Sequence, residues 1–132
     1  MNSTDTQFLG VDVGGTHLKI GLVDRDGKML DFQKEDTTPY RDHPDGFGPC
    51  FVKSIGKYLE KYPQVGKIGI GLPGMITKDR MTPLEIPAIP GLNNFPLKAS
   101  LREKYSNHEF FLENDAAAAA IGEFYFGKGD VA

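Results

Sequence analysis

The sequence predicts an α/β domain: a mixed five-stranded sheet with helices on its faces, in the order βββαβαβα. Two β-prone apolar runs flank Gly14-Gly15 in FLGVDVGGTHLKIGLVD, residues 8–24. Apolar residues then recur about every 3.6 positions from about residue 49 up to Pro63, and the apolar run VGKIGIGL follows. Near the end, EFFL at 109–112 leads into an alanine-rich stretch. Strands that first pair locally and then alternate with helices make a mixed sheet covered by helices.

Each element has its own signal. Phe8, Leu9, Val11 and Val13 supply strand propensity, and Leu18, Ile20, Leu22 and Val23 resume it after the glycines. Arg25-Asp26-Gly27-Lys28 makes a tight turn, so residues 29–35 return as a third antiparallel strand and complete a meander. Residues 37–48, broken by Pro39, Pro44, Gly46 and Gly48, read as a loop. Phe51, Val52, Ile55, Tyr58 and Leu59 form the apolar face of the first helix, and Lys53, Lys57, Glu60 and Lys61 its solvated face. Residues 65–72 form a central strand covered on both faces, parallel to an earlier one through a right-handed crossover. Pro73-Gly74 stops it, and the proline-rich residues 75–96 make a structured loop with a short strand or hairpin around 81–86. Pro96 suits the first turn of a second helix through Leu97, Leu101 and Tyr105. After the strand at 109–112, NDAAAAAIGEFYFG is helical from Asn114 to Gly127.

Composition narrows the function. A formal charge of −3 with no basic stripe argues against nucleic acid as a partner. The opening MNSTDTQ carries no leader pattern, and the apolar runs fall far short of the about 20 residues that cross a bilayer, so no membrane is expected and the location is cytoplasmic. Cys50 is the single cysteine, which excludes an internal disulfide. His17, His43 and His108 show no metal-ligand spacing.

Ligands of open α/β sheets gather at the C-terminal ends of strands. Candidate segments stand there at residues 12–16, 72–74 and 113–115. Gly14 and Gly15 can take positive φ and let backbone N–H groups approach an anion, with the Thr16 hydroxyl as a further donor. Asp12 could face the same site, and beside phosphates it calls for Mg²⁺ held through water. Lys19 offers a charge whose direction alternation leaves open, and His17 directly follows the loop. Equally, Gly-Gly between strands suits an ordinary hairpin turn. No helix follows these glycines, which separates the loop from the dinucleotide-binding and P-loop signatures. Asp115, at the first turn of the alanine-rich helix, would stay ionised and could accept a hydroxyl proton; Asn and Asp there also suit a helix cap. Side-chain amides at Asn93, Asn94 and Asn114 suit hydroxyl groups, although Asn-Asn is also a turn sequence.

Strand, D-x-G-G-T and strand resembles the first phosphate loop of the actin, sugar kinase and heat-shock ATPase superfamily. With IGIGLPGMI, IPGLNNFPL and ENDAAAAAIGE in order, nearly the whole chain resembles the first lobe of a ROK sugar kinase of the glucokinase type. The resemblance implies a ribonuclease H-like lobe of the actin-like ATPase superfamily. It further implies an ATP-dependent hexose kinase, with glucose the leading sugar and the 6-OH the acceptor. Asp12, Gly14, Gly15, Thr16 and His17 would face Mg·ATP, with Asp12 on the metal through water. Gly74, Asn94, Asn114 and Asp115 would contact the sugar, and Asp115 would be the catalytic base. His17 and Ala117 depart from residues common in relatives. Residues 1–132 would be the N-terminal lobe alone. The second lobe, with the adenosine pocket and the family's zinc site, would lie outside this chain, and the full-length protein would be a homodimer. The alternatives are a sugar-responsive ROK regulator without its DNA-binding part and a non-catalytic sugar-binding module.

Overall fold

Side chains alternate along β1 (Gln7–Val13) and β2 (His17–Asp24), which sorts them to two faces of a sheet. Leu9, Val11 and Val13 with Leu18, Ile20 and Leu22 are buried on one face; Asp12 and Lys19 remain exposed on the other. The computed structural model describes residues 7–114. β3 (Met29–Asp36) returns antiparallel to β2. The turn between them is held by Asp24, whose Oδ1 accepts the N–H groups of Asp26 and Lys28 at 2.9 Å each.

β4 (Val65–Leu72) lies parallel to β1, and β7 (Glu109–Asn114) lies parallel to β4. The sheet order is therefore β3-β2-β1-β4-β7, the mixed five-stranded arrangement expected, with β4 in a central place. Phe51, Val52, Ile55 and Tyr58 from α2 (Phe47–Lys61) and Leu97 and Leu101 from α3 (Leu97–Lys104) join the strands' buried residues in one core. Each such side chain contributes about 1.5–3 kcal/mol on leaving water. Tyr62, just after α2, ties it to β3: its hydroxyl donates to Asp31 Oδ2, while Gln33 Nε2 donates to its oxygen at 2.7 Å.

Several local expectations need correction. Residues 37–48 are not all loop: α1 (Thr38–Arg41) forms there, and α2 starts at Phe47 rather than about 49. Pro39 falls in the first turn of α1, where the missing N–H costs nothing, so a residue taken as a breaker acts as a starter. The proline-rich region holds a hairpin of β5 (Met75–Ile76) and β6 (Pro83–Glu85), then a single 3₁₀ turn at Pro90–Leu92. β7 runs two residues beyond the expected 112, so Asn114 ends a strand instead of starting a helix. The rest of the helix expected at 114–127 lies outside the described residues.

Candidate functional site

Parallel pairing puts the ends of β1, β4 and β7 at one edge of the sheet. Asp12 is in register with Gly71, Gly71 with Glu113, and Leu72 with Asn114. Segments 12–16, 72–74 and 113–114 therefore meet at that edge. Asp115, the expected base, lies outside the described residues.

The loop at residues 14–16 closes with the Gly14 N–H donating to His17 O at 2.9 Å. That donor is spent within the turn. The N–H groups of Gly15 and Thr16 meet no acceptor among the described residues. Neither Gly14 nor Gly15 takes the positive φ expected of it; among the described glycines only Gly27 and Gly46 do. Proximity favours glycine at position 14, where a Cβ would lie 2.9 Å from His17 O, whereas a Cβ on Gly15 would meet the Ala88 Cβ at 3.1 Å, a tight contact that a small shift relieves.

Strand register settles the direction of Lys19. It stands opposite Asp12 and beside Lys34, on the same exposed face. Asp12 thus lies between Lys19 on one neighbouring strand and Gly71 on the other. Among the described residues no cluster of three or more His, Cys, Asp or Glu side chains could hold a metal. A single exposed carboxylate nevertheless suits Mg²⁺ that carries waters and phosphate oxygens as its other ligands. Burial pushes the Cys50 thiol up, away from the thiolate form a metal needs.

Residues that no local sequence signal marked hold this loop from the β3–α1 corner. Thr37, fully buried, donates its hydroxyl to Gly14 O at 3.0 Å and its N–H to Thr16 O at 2.8 Å. Arg41 Nη1 donates to Gly15 O at 2.7 Å. Asp36 braces the corner: its Oδ1 accepts the Thr38 N–H at 2.8 Å, and chiefly that bond holds its carboxyl below the usual carboxylate range. His17 begins β2 in register with Asp36.

At the β4–β5 corner and in the loop before α3 the residues divide. Gly74 has a packing reason to be glycine, because a Cβ there would come within 2.2 Å of Glu85 O. Asn93 is committed to the fold through its Oδ1, which accepts the Ile86 N–H at 2.8 Å. Asn94 adopts φ 62°, which asparagine tolerates, and its N–H donates to Pro83 O at 2.8 Å. Its exposed side-chain amide has no partner among the described residues. Arg80 pairs with Glu113, which anchors the β5–β6 hairpin to the end of β7 one residue before Asn114. Among the described residues no helix is long and apolar enough to cross a membrane.

Comparison with known proteins places these features in a family. The family model described as ROK matches residues 8–131. A glucokinase of Thermotoga maritima is 34% identical over 129 residues, covering 93% of this chain and 38% of the relative. A solved candidate sugar kinase from Cytophaga hutchinsonii is 38% identical with a TM-score of 0.82, covering 91% of this chain and 40% of its own. A ROK family glucokinase from Streptomyces griseus, solved with glucose and AMPPNP, is 33% identical with a TM-score of 0.71, covering 94% and 38%. The chain thus spans about two-fifths of the length of each relative. These likenesses and the sheet order agree on a ribonuclease H-like lobe of the actin-like ATPase superfamily.

Proposed function

The chain belongs to the ROK family, and from that premise we propose that it is the N-terminal lobe of an ATP-dependent sugar kinase. The reaction moves the γ-phosphoryl group to a sugar hydroxyl, with the 6-OH of glucose as the leading acceptor. One observation carries the reading: the glycine loop, the end of β4 and the end of β7 meet at a single edge of the sheet. A relative solved with both glucose and AMPPNP supports a sugar and a nucleotide as the two ligands.

Phosphoryl transfer depends on alignment and on charge stabilisation, which fits a site made of a donor-rich loop on one side and amides and a carboxylate on the other. Mg·ATP, when bound, supplies the phosphoryl group and an electrophilic phosphorus. The Gly15 and Thr16 N–H groups then hold phosphate oxygens, and Lys19 offsets their charge. Asp12 would hold the metal ion through water. Asn94 and Asn114 hydrogen-bond sugar hydroxyls, and Gly74 keeps the backbone of the β4–β5 corner close. Asp115 accepts the proton of the attacking hydroxyl. The second lobe of such a kinase would complete the cleft and carry the adenosine pocket and the zinc site, and the full-length protein would be a dimer.

Amide spectra of the chain test this. Glucose should shift Asn94 and Asn114, and Mg·ATP should shift Gly15 and Thr16. If neither ligand moves these amides, the reading fails. In the protein containing both lobes, Asp115→Asn should lower turnover by a factor of about 100 or more while sparing sugar affinity. Turnover equal to the parent protein would remove Asp115 as the base.

A further inference from the structure

We propose that Thr37 and Arg41 are positioning residues which aim the donors of the phosphate loop; this rests on the phosphate-loop reading above. Their bonds end on the consecutive carbonyls of Gly14, Gly15 and Thr16, from the Thr37 hydroxyl, Arg41 Nη1 and the Thr37 N–H. Within a trans peptide the N–H points opposite to the C=O. Fixing the carbonyl of Gly14 therefore turns the Gly15 N–H away from the corner. Fixing Gly15 O does the same for Thr16, and fixing Thr16 O does so for His17. A loop whose carbonyls all face one element presents its N–H groups to the other side, the arrangement an anion needs.

The origin of these bonds is unusual for their residue types. Thr37 occupies the N-cap position of α1, yet makes no side-chain cap bond. Its hydroxyl reaches back 23 positions to Gly14, and the Asp36 carboxylate serves the Thr38 N–H instead. Arg41, exposed at the end of α1, uses one guanidinium donor on Gly15 O. Its guanidinium places a cation beside the loop as well.

The test uses magnesium tripolyphosphate as probe and the Gly15 and Thr16 amide shifts of the 132-residue chain as readout. Thr37→Val keeps the shape and removes the hydroxyl; it should weaken tripolyphosphate binding roughly three- to tenfold. Thr37→Ser should restore it. Arg41→Ala should weaken binding by a similar factor, and Arg41→Lys should recover part of the loss. Arg41 is exposed, so its variants stay informative even if Thr37→Val folds poorly. The glucose-dependent shift at Asn94 should persist in every variant, which a general loss of structure would not allow. Parent-like tripolyphosphate affinity in both Thr37→Val and Arg41→Ala would overturn the positioning role alone. A parent chain whose loop amides ignore tripolyphosphate would overturn the phosphate-loop reading, and the positioning role with it.

Discussion

Single atoms at Gly74 decide between packing and ligand as the reason for glycine there. A Cβ would meet Glu85 O at 2.2 Å and Ile86 Cδ1 at 2.9 Å, and the backbone carbonyl can withdraw only if β6 moves. Gly74→Ala should therefore destabilise the chain by about 1–3 kcal/mol, seen as a lower urea midpoint. An unchanged midpoint would return Gly74 to a purely ligand-facing role. Asp36 makes a second residue-scale prediction. Its folded carboxyl is held below the ordinary 3.8, first by the Thr38 N–H. Stability from a depressed carboxyl is fully present above the unfolded value and is lost as pH falls through the folded one. The Thr38 amide should therefore be protected from exchange above pH 3.8 and lose protection below it, and Asp36→Asn should abolish that step. A pH-independent Thr38 amide would contradict the bracing role. Residue types were readable for Asp12, Gly14 and Gly15, but the reason for Gly14 was not: close approach to the His17 carbonyl, not positive φ, disfavours a side chain there.

Among the elements, the β5–β6 hairpin is held at its tip by Arg80, a non-glycine residue at φ 60°, through its pair with Glu113. An exposed pair contributes at most about 1 kcal/mol to global stability, so Arg80→Ala should barely move the unfolding midpoint. Locally the hairpin should loosen, with faster hydrogen exchange at the Thr77 N–H, which donates to Thr82 O at 2.9 Å. Unchanged exchange would show that the hairpin stands without the pair. The strands and the two longer helices were legible because their periodicity reflects burial against one sheet face. α1 was not, because four residues contain one turn and no period. The extension of β7 to Asn114 was hidden for a different reason: it comes from pairing with Leu72 on another strand, which no local pattern records.

As a whole molecule, the described residues form a five-stranded sheet and a two-stranded hairpin around one core, and the described part of the candidate site lies along one edge of the larger sheet. Alignment of donor and acceptor needs both walls of a cleft, and an open edge leaves the phosphoryl group to water. The 132-residue chain alone should therefore show no sugar-dependent ADP release from Mg·ATP in a coupled assay, while still binding its ligands at the edge. Turnover at a rate typical of kinases, about 1–100 per second, would refute the single-lobe proposal.

The sequence alone determined the fold class, the order of the main elements as far as β7 and the family, because these follow from burial periodicity and from short motifs whose residues are neighbours in the chain. Tertiary structure decided how the loop is aimed. Thr37 and Arg41 reach Gly14 and Gly15 across 23 and 26 positions. Such contacts exist only once β3 has folded back along β2, and no local pattern records them.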